Sequence, residues 1–292
     1  MIPQAVLSSL QHFFSADLIR IQDFEDLRPV AGGDINASYA FRFKKEDYFI
    51  KINQSKKFPN MFLREAEGLH LLNNANCLEV PKVIHTNVSG EFQFLLLQYI
   101  KPAARKATFM EDFGHALSNQ HKISSDSFGL ENDNYIGSLP QSNHFHADWN
   151  HFFIEERILP QIRMARNLGR INQSTSSCFD RFFTKIPEIF PVEKPALLHG
   201  DLWSGNYMTG SKGGACIFDP AVYFGHREAD LAMTKLFGGF EKRFYESYSN
   251  NFHIDRQWPS RTDYFNLYPL LVHVNLFGGS YVDSIKRIVN NF

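Results

Sequence analysis

Three oxygen-bearing side chains fall close together in the second half of the chain. Asp201 and Asn206 stand five apart in His199-Gly200-Asp201-Leu202-Trp203-Ser204-Gly205-Asn206, and Asp219 follows thirteen residues later in Ile217-Phe218-Asp219-Pro220. Mg²⁺ takes hard oxygen ligands, commonly one or two carboxylates together with substrate phosphates, and Asn206 and Asp219 suit that role. Asp201 is then free to accept the proton of an attacking hydroxyl, as phosphoryl transfer requires. Singly, each is an ordinary turn residue. Together, with His-Gly before them and apolar strands on both sides, they point to chemistry.

Lys51 and Glu65 extend the set. Lys51 lies between Ile50 and Ile52 in an apolar strand, and Glu65 shares a helix face with Phe62 and Leu69. Two opposite charges facing inward are costly unless they pair. A strand Lys held by a helical Glu is the arrangement that grips the α- and β-phosphates of ATP. Upstream, Gly32-Gly33-Asp34-Ile35-Asn36-Ala37-Ser38 joins two strand segments. Small residues there let backbone N–H groups approach phosphate oxygens, although Gly-Gly is equally an ordinary hairpin turn.

The elements that must hold these residues are legible as patterns. Tyr39, Phe41 and Phe43 alternate on one strand face, the charged turn Lys44–Asp47 follows, and Tyr48–Ile52 returns as a hairpin partner. The helical spacing of Phe62, Ala66, Leu69 and Leu72 predicts a helix from Asn60, and Glu91–Ile100 predicts another strand. Beyond Lys101-Pro102 the pattern turns helical at Phe109–Gln120, Trp149–Asn167, Cys178–Ile186 and Tyr264–Phe277. The polar stretch Ser124–Asp148 reads as a long loop. Ala196–Leu198 and Ala215–Phe218 are strand-sized, a small hairpin system laid on the helices. The expectation is an α+β chain of two lobes, 1–100 binding nucleotide and 101–292 carrying catalysis and substrate.

Composition narrows the function classes. Of 292 residues 43% are hydrophobic and 21% charged, enough for a sizeable core, and 29 Phe can build an aromatic core or pocket. Thirty basic against 31 acidic residues argue against nucleic-acid binding as the main task. No apolar run reaches bilayer length, and the N-terminus lacks the pattern of a signal peptide. Three scattered cysteines without CxxC spacing fit a reducing, cytoplasmic setting. His144, His146 and His151 cluster without an evident carboxylate and read as surface histidines, and Trp149 reads as core or pocket wall.

The order Gly-rich turn, strand Lys, helical Glu, HGDxxxxN and strand-ending Asp resembles the protein-kinase-like fold, in its small-molecule branch. Trp203 within HGDLWSGN, together with Phe128-Gly129-Leu130, Asn134–Gly137, Phe224–Ala232 and Leu276-Phe277-Gly278-Gly279, resembles the fructosamine (ketosamine-3-) kinase family over residues 30–282. The resemblance implies ATP and Mg²⁺ as cofactors, Asp201 as base, Asn206 and Asp219 as metal ligands, and Gly32, Gly33, Lys51 and Glu65 around the nucleotide. It also implies an adenine-binding hinge at Gln98, Tyr99 and Ile100, and Asp230 bracing the catalytic loop. Trp203, Asn134 and His273 become candidates for gripping the sugar. The implied reaction is phosphorylation of the 3-hydroxyl of a ketosamine, with deglycation as its role and no nucleic acid, membrane or obligate protein partner. Phosphorylation of another small alcohol, such as an aminoglycoside or amino alcohol, and an inactive nucleotide-binding scaffold are the alternatives. Two positions depart from the family pattern. Asp34 stands where some members carry a cysteine, so a dimer linked by thiols at that turn is not expected, and Val272 stands where Asn is expected before His273.

Overall fold

The alternating residues of the first hundred positions build one antiparallel sheet. In the computed structural model, which describes residues 2–15, 19–30, 36–290 and 292, it is preceded by a helix, α1 (Gln4–Phe13). Then come β1 (Glu25–Pro29), β2 (Ala37–Phe43), β3 (Glu46–Gln54), helix α2 (Met61–Ala75), β4 (Val83–Ser89) and β5 (Phe92–Gln98). The strands lie in the order β1-β2-β3-β5-β4. The β2–β3 turn is only Lys44-Lys45, both at positive φ (49° and 70°), the backbone a two-residue hairpin turn requires.

Period two divides the sheet into two faces. Ile50, Ile52, Phe94 and Leu96 pack with Val6, Leu7 and Leu10 of α1. Leu95 and Leu97 pack on the other side with Phe62, Ala66 and Leu69 of α2. Lys51, paired in register with Leu95, therefore faces α2.

From residue 109 helices dominate. They are α3 (Phe109–His121), α4 (Trp149–Phe152), α5 (Leu159–Asn167), α6 (Gln173–Ile189), α7 (Glu228–Leu236), α8 (Lys242–Asn251), α9 (Trp258–Phe265), α10 (Leu267–Phe277) and α11 (Tyr281–Val289). Between α4 and α5, Phe153–Ile158 winds as a π-helix. There the fully buried Arg157 lies 4.0 Å from the Tyr223 ring and donates to Asn143 Oδ1 (2.7 Å). Trp149 is core, stacked on Phe153. Among the described residues no helix is long and apolar enough to cross a membrane, and all three cysteines are free thiols.

Several expectations need correction. The Ser124–Asp148 stretch contains a hairpin, β6 (Asn134–Ile136) with β7 (Leu139–Gln141). The two short apolar runs do not pair with each other. β8 (Ala196–Leu198) pairs with β11 (Tyr223–Gly225), and β10 (Ala215–Ile217) with β9 (Tyr207–Thr209). The five-residue turn Gly210–Gly214 closes the second hairpin locally, which is cheaper than joining strands across a longer loop. The apolar C-terminal segment breaks at Asn266 into α9 and α10.

Candidate active site

Strand β8 is wholly buried and delivers His199-Gly200-Asp201 at its end. Gly200 has φ +83°, and a Cβ there would lie 2.0 Å from the Ala221 carbonyl oxygen, so only glycine lets the two segments meet. The loop is clamped from behind by Asp230 of α7, whose carboxylate accepts the N–H groups of His199 (2.8 Å) and Gly200 (2.9 Å). His199 is buried and donates from Nε2 to the Phe218 carbonyl (3.0 Å), which ties the loop to the segment ending in Asp219. Burial lowers its proton affinity, consistent with a neutral ring whose Nδ1 accepts the Asp201 N–H (3.3 Å).

Asp201 and Asn206 meet directly. The Asn206 amide nitrogen donates to the Asp201 backbone oxygen (2.8 Å) and to Oδ2 of its carboxylate (2.9 Å). This fixes the amide so that Oδ1, the metal-ligating atom of an asparagine, faces away from Asp201 and has no partner among the described residues. Burial pushes the Asp201 carboxyl up to about 7, the charges of Asp219 and Asp230 add to this, and the Asn206 bond opposes it. The Asn206 carbonyl accepts the Phe218 N–H (3.1 Å), which brings Asp219 alongside.

Lys51 Nζ lies between Glu65 Oε1 (2.7 Å) and Asp219 Oδ1 (2.6 Å). Burial works against its charge, but the two carboxylates outweigh it and hold the ammonium charged. Burial, and the second carboxylate sharing the cation, push Glu65 up. Asp219 sits at φ +55°, a left-handed backbone that a non-glycine residue adopts at a cost. Its Oδ2 has no partner among the described residues and is a second hard oxygen beside Asn206 Oδ1, a donor set that fits Mg²⁺.

At the end of β5 the Gln98 N–H is given to the Lys82 carbonyl (2.9 Å) and the Tyr99 N–H to Asp47 (3.1 Å). Of the three hinge N–H groups, only that of Ile100 has no partner among the described residues. Gly32 and Gly33 lie outside the described residues. Next to them, Asn36 accepts from the Asn53 amide (2.8 Å).

The sugar-gripping candidates separate. Trp203 packs edge-on to Phe237 (5.9 Å), which contacts His273 (4.8 Å). His273 in turn meets Tyr281 (5.0 Å) and the exposed Phe277 (5.6 Å). The result is an aromatic wall running from the loop that carries Asp201 to α11. His273 gives Nδ1 to the Pro269 carbonyl (2.7 Å), and burial keeps it neutral, so its Nε2 is an acceptor. Phe237 and Tyr281 went unread because isolated aromatics look like core in a Phe-rich chain. Asn134 is buried and tied into its own loop: its nitrogen donates to Val222 and its oxygen accepts from Gln141 and Asn143.

The histidine cluster also differs from expectation. Glu156, from the π-helix, lies between His144 (3.1 Å) and His146 (3.0 Å), while His151 pairs with Asp148. Among the described residues one trio, Glu193, His226 and Glu228, has metal-ligand spacing. Its carboxylates are held by the Arg227 and Arg261 guanidiniums at 2.7–2.8 Å, and His226 Nε2 donates to Pro191, so it is a folded charge network.

Comparison with known proteins agrees with this geometry. The fructosamine kinase family model matches residues 7–292. A protein of Enterococcus faecium named "Probable ketoamine kinase" is 36% identical over 266 residues, covering 90% of this chain and 94% of its own. The crystal structure of a "putative fructosamine-3-kinase" from Haemophilus somnus superimposes with a TM-score of 0.84 at 27% identity, covering 98% of this chain and 96% of that one. An aminoglycoside phosphotransferase superimposes at 0.64 with 13% identity over 98% of both chains, which places the fold among the protein-kinase-like enzymes.

Proposed function

The chain belongs to the fructosamine kinase family and is a phosphotransferase with an alcohol acceptor, and on that footing we propose that it transfers the γ-phosphoryl group of ATP to the 3-hydroxyl of a ketosamine. The observation that carries the reading is the meeting of Asp201, Asn206, Asp219 and Lys51 at one place. Residues 1–100 hold the nucleotide, with Lys51 on its phosphates, Glu65 holding Lys51, Gly32 and Gly33 contributing to its binding, and the Ile100 N–H toward adenine. Asn206 Oδ1 and the Asp219 carboxylate would hold Mg²⁺, which when bound offsets phosphate charge.

Asp201 orients the acceptor hydroxyl and takes its proton as the oxygen bonds to phosphorus and ADP leaves. A carboxyl raised by burial is a better base for that proton than a solvated one. Residues 101–292 supply the aromatic wall, where apolar sugar faces stack on Trp203 and a sugar hydroxyl donates to His273 Nε2. Removal of the sugar from a glycated amine through a labile 3-phosphate, in a reducing cytoplasm where its thiols stay free, is the physiological role.

The test is ³¹P NMR of the protein with Mg·ATP and, in turn, ribulosyl-lysine, fructosyl-lysine, kanamycin and choline. A new sugar-phosphate signal with a ketosamine alone is expected. A signal only with kanamycin or choline would keep the phosphoryl-transfer site and reject the substrate.

A further inference from the structure

Behind the catalytic loop, polar side chains from three helices form a buried chain of hydrogen bonds with a single direction. Asp230, which clamps the loop, also accepts from His121 Nε2 of α3 (3.2 Å), and His121 Nδ1 lies 2.9 Å from the Tyr248 hydroxyl of α8. Nearby, the Arg227 guanidinium, whose charge acts on Tyr248, grips Glu193 and the carbonyls of Phe252 and His253. His121, Tyr248 and Asp230 are 2%, 1% and 1% exposed, so water cannot substitute for any member.

The chemistry of the groups fixes the direction. With the other ring nitrogen turned to a carboxylate, His121 Nδ1 is the acceptor to which the Tyr248 O–H is given. The Asp230 carboxylate, held below its ordinary range despite burial by His121 and the loop N–H groups, can only accept. His121 Nε2, the ring nitrogen that faces this carboxylate, is therefore the one that donates to it. The backbone is arranged for this contact. A Cβ on Gly114 would lie 2.1 Å from the Phe244 carbonyl oxygen, so α3 and α8 touch there. His121 and Tyr248 follow two turns and one turn later on the facing sides.

We propose that Tyr248 is a positioning residue for phosphoryl transfer: it sets the tautomer of His121 and through it the grip of Asp230 on the loop that carries Asp201. The proposal rests on reading Asp201 as the base. Tyr248→Phe keeps the ring and its packing and removes one donor. The expected result is kcat lower on the order of tenfold, since small displacements of a reacting group are expensive, with KM for ATP and for acceptor unchanged. The matched control is Tyr245→Phe on the same helix, whose hydroxyl bonds Thr234 (2.9 Å) outside the chain; it should leave kcat unchanged.

A second readout needs no substrate. In the ¹⁵N spectrum of the histidine rings, His121 should show a protonated Nε2 and a bare Nδ1, and Tyr248→Phe should shift the Nδ1 resonance. Unchanged kcat in Tyr248→Phe, an equal loss in Tyr245→Phe, or an unmoved His121 spectrum would each overturn the proposal. A wild-type protein that phosphorylates no ketosamine would overturn the substrate reading, and the ring spectrum would still decide the relay.

Discussion

Two clusters of charge flank the loop that carries Asp201, and they are built on different principles. In front, Lys51 is shared by Glu65 and Asp219, one cation against two carboxylates, with Asp219 40% exposed and strained at φ +55°. Behind the loop, Arg227 faces Glu193 and Arg261 faces Glu228, each pair bidentate, balanced and largely buried. A balanced, fully bonded cluster holds a fold in place. An unbalanced one beside oxygens without a partner among the described residues is poised to receive a further cation. Perturbing the rear cluster should therefore change stability, and perturbing the front should change catalysis.

The sharpest test of the front is Asp201→Asn, expected to lower kcat by about 10²–10⁴ with ATP affinity largely intact, read by steady-state turnover and calorimetric titration. The sharpest test of the rear is Glu228→Gln. It leaves Arg261 charged and unpaired where its partner was 1% exposed, and denaturant unfolding should show a loss of about 3–5 kcal/mol.

Acid should weaken the rear. Burial above all, and then the nearby Arg227 and Arg261 charges, lower His226 to about 4 against the opposing pull of Glu193. The unfolded chain, with an ordinary histidine, takes up a proton that the folded chain refuses. This contribution is complete above pH 6.5 and is lost as pH falls to 4, amounting to roughly 3 kcal/mol. Between pH 7.5 and 4.5 the unfolding midpoint of the wild type should therefore lose ground to that of His226→Gln, which lacks this titration. The mildest change is Glu65→Gln. KM for ATP should rise about tenfold, since Lys51 loses its helical anchor, while the melting temperature stays level or rises as the excess negative charge is relieved. A large drop in melting temperature there would erase the distinction between the clusters.

Much of the front cluster was readable from residues alone because its members carry their own signals: a Lys between two isoleucines, a Glu on an apolar face, an HGD run. The rear cluster was not. Glu193, Arg227, Glu228 and Arg261 are ordinary charged residues whose pairing depends on how α7, α9 and the β8 approach pack, which no local period encodes. The ties of Asn134 to Gln141 and Val222 were hidden for a related reason, since the bond to Val222 joins positions far apart in sequence. The β8–β11 pairing was hidden because three-residue strands are too short for alternation to name their partners.

The π-helix at Phe153–Ile158 bears on how the chain tolerates changes of length. Such a turn holds about one residue more than an α turn. Deleting any one residue there would let the segment close as α and rotate everything after it by about 100°. Arg157 would leave its seat against Tyr223 and release Asn143, or else α5 would swing its buried Gln161 and Ile162 toward solvent. Point substitutions nearby can be absorbed by repacking. A one-residue deletion cannot, so in descendants of this chain the spacing from Trp149 to Ile162 should drift far less than the residues that fill it.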